Sequence, residues 1–244
     1  MNLIVDIGNT FHKLAIFEKN KLVESYVLSN QDELANKMQP LLIKAQNSIF
    51  SSVVSGSDDI LEILSAHTFC IHFTHSTPIP IANSYQSIET LGTDRIAAAV
   101  GASKYANNKN ILSIDTGTCI KYNFVQSGNN FIGGAIAPGL QMRLTSLHKL
   151  TSKLPLVAID QDYNELIGTD TKSSILSGAL TAAVAEMDGM IDRYKEIYSN
   201  VEIILSGGDC IFFEKRLKNS IFTRPNLVIE GLNAILEFNV ENKT

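Results

Sequence analysis

The sequence predicts an α/β protein built from two related halves. Three observations carry this. The chain opens on an apolar run that ends in a carboxylate and a glycine turn, Leu3-Ile4-Val5-Asp6-Ile7-Gly8-Asn9-Thr10. The same pattern restarts at Ile111-Leu112-Ser113-Ile114-Asp115-Thr116-Gly117-Thr118. Each copy is followed by two more strand-like runs joined by polar turns, so a whole meander is repeated rather than a single turn. The expected domains are residues 1–110 and 111–244, with the last helix able to pack back on the first domain.

The opening turn suits an anionic ligand. Gly8 lets the backbone turn tightly and come close to a bound group. The N–H groups of such a turn can cradle phosphate oxygens. Asp6, at the strand end, can hold a magnesium ion directly or through water. Lys13 lies close enough along the chain to reach a terminal phosphate. Taken alone, the turn is also compatible with an ordinary β-turn in which Asn9 and Thr10 are turn formers; its recurrence at Asp115 favours nucleotide chemistry.

Composition narrows the class. The chain has 244 residues, is 45% hydrophobic and carries a net charge of −5. That length supports one large domain or two smaller ones. There is no basic stripe, so nucleic acid is not an expected partner. No apolar run approaches the roughly 18–20 residues of a membrane-spanning helix, and the chain starts directly on a core strand without a signal-peptide pattern. Cys70, Cys119 and Cys210 are too widely spaced for a metal site or a disulfide framework. A cytoplasmic location and no membrane partner are therefore expected.

Along the chain, strands are expected at 13–17 and 22–28, then a helix over 31–45 weakened by Pro40. A strand at 47–54 precedes a helix capped by the Ser57-Asp58-Asp59 cluster, and a short strand covers 69–73. Residues 75–95 form a long loop with two prolines, the kind of connection that usually carries function. An Ala-rich helix over 96–105 follows, with Asp94 as its cap. In the second half, strands fall at 119–125 and 131–134. A glycine-rich loop, Gly133-Gly134-Ala135-Ile136-Ala137-Pro138-Gly139, leads to a helix whose Leu140, Leu144, Leu147 and Leu150 face the core. Such a loop ahead of a helix N-terminus favours anions. Thr169-Asp170-Thr171 caps a long helix over 172–198. A strand at 201–205 closes on Ser206-Gly207-Gly208-Asp209, which suits either a place for adenine and ribose or a plain C-terminal strand cap. A helix over 231–239 ends the fold, and residues 241–244 are expected to fray.

Together these parts resemble the type III pantothenate kinases, within the actin/hexokinase/Hsp70-type ATPase superfamily with its duplicated ribonuclease H-like fold. The resemblance covers nearly the whole chain. It rests on Asp6-Ile7-Gly8-Asn9-Thr10 with Lys13; Tyr85 followed by Leu91-Gly92-Thr93-Asp94-Arg95; Asp115-Thr116-Gly117-Thr118; the 133–139 run; Thr171 ahead of Ser177-Gly178; and Ser206-Gly207-Gly208-Asp209. The order of these elements is specific, and Gly92-Thr93-Asp94-Arg95 separates the family from sugar kinases of the same fold.

The resemblance implies ATP-dependent phosphorylation of pantothenate, the first step of coenzyme A synthesis. It implies that Asp6, Ile7, Gly8, Asn9, Thr10, Phe11, His12 and Lys13 form the first ATP loop and that Thr118 contacts ATP. Asp94 becomes the general base. Tyr85, Gly92, Thr93, Asp94, Arg95 and Thr171 hold pantothenate, with Arg95 clamping its carboxylate. Asp115 binds a monovalent cation, potassium or ammonium, and magnesium accompanies ATP with Asp6 as a ligand. A homodimer with a shared substrate pocket is implied. This chain departs from the family pattern at Ile88 and at Cys119, Lys121 and Asn123, where the expected run continues with alanine, threonine and an acid. Lys121 either supplies a charge of its own or lies on a solvated strand face. The alternatives are a catalytically silent regulatory relative, which retention of Asp6, Asp94 and Asp115 disfavours, and a sugar or polyphosphate enzyme of the same fold.

Overall fold

The structure is a computed structural model that describes residues 1–54 and 56–242. The expectation of fraying over 241–244 therefore lies partly outside the described residues. The strands are β1 (Asn2–Ile7), β2 (His12–Glu18), β3 (Lys21–Leu28), β4 (Asn47–Ser52), β5 (Phe69–His72), β6 (Ala82–Asn83), β7 (Asn110–Thr116), β8 (Cys119–Gln126), β9 (Asn130–Pro138), β10 (Val201–Ser206) and β11 (Phe222–Thr223). The helices are α1 (Gln31–Leu42), α2 (Asp58–His67), α3 (Thr93–Ser103), α4 (Leu140–Lys149), α5 (Thr171–Leu176), α6 (Ala182–Ile197), α7 (Cys210–Glu214) and α8 (Leu227–Glu241). A π-helical turn, Ser177–Thr181, joins α5 to α6.

Two compact units result. One comprises Met1–Asn107, Asn129–Ile132 and the chain from Asn226 onward; the other comprises Asn108–Gly128 and Gly133–Pro225. The first unit carries a five-stranded sheet in the order β3-β2-β1-β4-β5, and the second sheet runs β11-β10-β7-β8-β9-β6. Both are built the same way: an antiparallel meander extended on the far side of its first strand by parallel neighbours. β1 is antiparallel to β2 and parallel to β4, just as β7 is antiparallel to β8 and parallel to β10. The repeated turn seen in the sequence is thus the visible part of a repeated sheet.

In the first unit every residue of β1 is buried, as a central strand covered on both faces requires. α1 begins at Asn30, whose side chain accepts from the Glu33 N–H, and stops at Leu42, just past Pro40 and short of the expected Ala45. Ser57 does not cap α2 with its side chain; its hydroxyl donates instead to Ser52 Oγ at the end of β4. α8 packs along α3 and onto β1 and β4. It starts at Leu227, earlier than the expected Gly231, because 226–230 supply a buried apolar turn rather than a separate segment. A buried amide network pins it there. Asn2 Nδ2 donates to Asn233 Oδ1 (3.0 Å), Asn47 Nδ2 to Asn2 Oδ1 (3.1 Å), and Asn233 Nδ2 to the Lys19 carbonyl (2.9 Å). Buried amides must be satisfied in this way.

In the second unit the expected glycine-rich loop is mostly strand. β9 runs through Pro138, and Gly134 passes so close to β8 that a Cβ would meet the Tyr122 carbonyl oxygen at 1.8 Å. Gly134 there serves close strand contact. Leu140 and Leu144 are buried, but Leu150 is 83% exposed because α4 ends at Lys149. Asp170 caps α5 in a capping box with Ser173. The continuous helical stretch Thr171–Ile197 is long and apolar enough to cross a membrane, which corrects the expectation that no such segment exists; 44% of its most apolar window is buried within the protein. It also carries the buried Asp188, which accepts from the backbone N–H groups of Lys218 and Asn219 and from Asn219 Nδ2. A carboxylate bonded to three protein donors identifies a core helix of this unit.

Candidate active site

In the first unit the candidate residues gather at the carboxyl ends of the parallel pair β1 and β4, the usual ligand side of an open α/β sheet. Asp6 lies next to the end of β1, beside Ser51 of β4, and is only 8% exposed. The turn after it closes through a bond from the Gly8 N–H to the Phe11 carbonyl (3.1 Å), and a Cβ on Gly8 would meet that same oxygen at 2.8 Å. Glycine is therefore required by close approach. Asn9, Thr10 and Phe11 are exposed, while His12 and Lys13 are partly buried on β2. His12 Nδ1 is buried without a hydrogen-bond partner. In the antiparallel register Asp6 lies opposite Lys13 and Ile7 opposite His12, so Asp6 and Lys13 share one face of the sheet.

Ser51 links this strand end to the next element. Its Oγ lies 3.3 Å from Thr93 Oγ1, the first residue of α3. Asp94 follows in that first turn. Asp94 is not the cap: the cap position is Gly92, and the Asp94 carboxylate accepts from the Arg95 N–H (2.8 Å). A Cβ on Gly92 would approach Asp94 Oδ1 to 2.6 Å, so glycine leaves that carboxylate room. The expected helix start at 96 is thus three residues late, because Thr93-Asp94-Arg95 already form its opening turn.

Arg95 is 4% exposed. Its guanidinium carbon sits 5.4 Å from the Tyr85 ring centroid and 5.9 Å from that of Phe131, and its Nη1 is 3.5 Å from the Tyr85 hydroxyl. The Tyr85 and Phe131 rings stack, with centroids 6.1 Å apart and planes at 6°. The stack is assembled by β6, whose Asn83 pairs in parallel with Phe131. Phe131 is a site residue that sequence reasoning missed. It sits in a hairpin strand far from Tyr85 in the chain, and only the β6–β9 pairing brings them together. Ile88 falls in a short 3-10 turn, Ile88–Thr90, within the same loop.

In the second unit the repeated turn has the same frame with different chemistry. Asp115, 9% exposed, lies opposite Lys121 in the β7–β8 register, and Lys121 Nζ is 2.8 Å from Asp115 Oδ2. Ser206 Oγ lies 3.4 Å from Asp115 Oδ1. Gly207 has φ +90°, and a Cβ there would come within 2.2 Å of the Thr116 carbonyl oxygen. Only glycine tolerates both that conformation and that approach. Gly139 N–H donates to the Thr118 carbonyl (3.1 Å) and Asp209 N–H to that of Thr116 (3.1 Å). The end of the 133–139 run is therefore laced to Thr118 in the turn, and Ser206-Gly207-Gly208-Asp209 to Thr116 just before it. Burial pushes the Asp209 carboxyl above its ordinary value. Asn123, where an acid was expected, is fully buried on β8. Thr171 opens α5 and lines a cavity of about 580 Å³ with Leu147, Leu154, Thr169, Asp170 and Ser174.

Chains of similar structure show the fold. A Baf-family protein from Campylobacter jejuni superposes on 98% of this chain, over 99% of its own (18% identity, TM-score 0.63). Component A of (R)-2-hydroxyglutaryl-CoA dehydratase from Acidaminococcus fermentans aligns over 99% of both chains (14% identity, TM-score 0.55). The protein thus has the duplicated α/β fold of the actin-like ATPases, as expected. The family model for type III pantothenate kinase matches residues 2–193. A type III pantothenate kinase from Christiangramia forsetii is 42% identical over 241 residues, covering 98% of this chain and 99% of its own. The chain belongs to the type III pantothenate kinase family, whose activity is ATP-dependent phosphorylation of pantothenate in coenzyme A biosynthesis.

Proposed function

We propose that this chain moves the terminal phosphoryl group of ATP onto the pantothenate hydroxyl with Asp94 as general base. The supporting observation is the Ser51–Thr93 contact, which ties the first turn of α3 to the strand end that carries Asp6. Phosphoryl transfer asks for positioning and charge neutralisation more than covalent chemistry. Asp94 orients the acceptor hydroxyl and takes its proton late in the transfer. Asp6, Ile7, Gly8, Asn9, Thr10, Phe11, His12 and Lys13 hold ATP phosphates, and Thr118 makes a further ATP contact. Tyr85, Gly92, Thr93, Arg95 and Thr171 hold pantothenate; Arg95, steadied by Tyr85 and Phe131, meets its carboxylate.

Magnesium bound with ATP would supply neutralisation of phosphate charge. Asp6 suits it, since magnesium keeps several waters and needs only one or two protein carboxylates; no group of three or more metal-binding side chains occurs among the described residues. The potassium or ammonium ion implied at Asp115 does not fit as expected, because the Lys121 ammonium already engages that carboxylate. The duplicated halves, 1–110 and 111–244, each contribute one phosphate turn to this reading. A homodimer with a shared pantothenate pocket is supported by exposed Leu150, Leu156, Leu166 and Ile167, close in sequence to Thr171. Free Cys70, Cys119 and Cys210 suit a reducing cytoplasm.

The test is ADP release with pantothenate, with glucose and with no acceptor. Turnover should require pantothenate, and Asp94→Asn should lower kcat by about 10²–10⁴. Glucose-dependent turnover, or an Asp94→Asn enzyme of full rate, would refute the assignment.

A further inference from the structure

The Asp115–Lys121 pair carries an inference that rests on the reading above. We propose that the Lys121 ammonium is a built-in monovalent cation for the second phosphate turn, so that turnover needs no added potassium or ammonium. Lys121 is a positioning residue in this scheme: it neutralises Asp115, and Asp115 lies one residue before the end of the strand that leads into Gly117 and Thr118.

The geometry supports a permanent occupant. Asp115 and Lys121 face each other across an antiparallel pair, so both side chains leave the same face of the sheet. Their side chains are only 12% and 20% exposed, and the Nζ–Oδ2 distance is 2.8 Å. A carboxylate so covered needs a countercharge, and leaving it unpaired is costly. The other oxygen is closed off as well. Ser206 Oγ lies 3.4 Å from Oδ1, and a Cβ on Gly207 would come within 2.7 Å of the same atom. A free cation would have to displace the ammonium to reach Asp115. The lysine ammonium also has the charge and N–H donors of a free ammonium ion, held on a four-carbon stem.

The first half has the same arrangement, with Asp6 opposite Lys13. Each repeated turn therefore places a lysine of the next strand opposite its aspartate in the register. The duplication supplies one tethered positive charge per turn, and Lys121 is where the second half departs from the pattern its family resemblance implies.

The experiment compares pantothenate-dependent ADP release in potassium, ammonium and choline chloride at equal ionic strength, for the wild type, Lys121→Ala and Lys121→Met. Thermal melts in potassium and choline are read on the same proteins. The wild type should turn over within about two-fold in all three salts. Lys121→Ala or Lys121→Met should lose about tenfold or more in choline and recover in potassium or ammonium. Potassium should raise the melting temperature of the variants and leave that of the wild type unchanged. A wild type that needs potassium, or variants as active in choline as the wild type, would overturn the proposal. If no salt supports pantothenate-dependent turnover, the functional reading fails instead, and the melts still decide the cation question. Should neither variant fold, the wild-type salt comparison decides alone.

Discussion

Gly231 of α8 lies against Ala97 of α3 so closely that a Cβ on Gly231 would meet the Ala97 carbonyl oxygen at 1.8 Å. Gly101 makes the reciprocal approach, with a hypothetical Cβ 2.4 Å from the Leu227 carbonyl oxygen. Two glycines thus let the helix that carries Asp94 in its first turn press onto the C-terminal helix, which itself packs on β1 and β4. Gly231→Ala must push backbone apart, because a carbonyl oxygen cannot rotate away as a side chain can. The variant should lose about 1–3 kcal/mol of stability, read by urea denaturation. It should also lower kcat, since the first turn of α3 moves with the helix. Wild-type stability in Gly231→Ala would refute this packing.

Phe131 and Arg95 lead to a second prediction. The stacked Tyr85 and Phe131 rings hold the Arg95 guanidinium in place. Phe131→Ala removes one ring and frees the arginine. The KM for pantothenate should rise by about five- to thirty-fold, as expected for losing 1–2 kcal/mol of aromatic and cation–π contact. The KM for ATP should stay within about two-fold, since that ring meets none of the residues assigned to ATP. An equal rise in both constants would point to general unfolding of the loop.

Asp188 gives a structural prediction away from the chemistry. It is 4% exposed and accepts three donors that organise residues 218–219. Asp188→Ala strands two backbone N–H groups and one amide. The loss should be about 2–4 kcal/mol by chemical denaturation. Asp188→Asn should recover part of it, because the amide oxygen still accepts. A change near zero in both variants would refute the role.

The fourth prediction concerns pH. Burial raises the Asp209 carboxyl above its ordinary value of 3.8. An acid whose folded value is raised favours the folded state in its protonated form. That advantage is full below the unfolded value and is lost as pH rises through the folded value. At neutral pH the ionised Asp209 is therefore a cost. Asp209→Asn should melt at a higher temperature than the wild type at pH 7, and the gap should close as pH falls below about 4. Equal melting temperatures at pH 7 would show that the carboxylate is not penalised by burial.

Much of the site was legible in the sequence because its motifs are local. Asp6 to Thr10, Asp115 to Thr118 and Gly92 to Arg95 each combine a strand end or helix start with glycine and a polar residue, and neighbours in sequence remain neighbours there. Elements that depended on local spacing were misjudged where partners decided the outcome. The 133–139 run looked like a loop from its glycines, but β9 continues through it because Gly134 lets the strand press against Tyr122. Leu150 fitted the apolar spacing of α4, yet the helix stops before it and leaves it exposed.

The sequence by itself determined the duplication and the two carboxylate–glycine turns, because strand pattern and turn chemistry are properties of short stretches; the kinase family entered through the resemblance that those motifs carry. Only the tertiary structure decided what those carboxylates meet. Lys121 reaches Asp115 through strand register, Phe131 reaches Tyr85 and Arg95 through a parallel pairing, and Ser51 reaches Thr93 where β4 ends beside α3. Each contact joins residues that spacing along the chain could not relate, since pairing across a sheet is set by the folding of the whole unit.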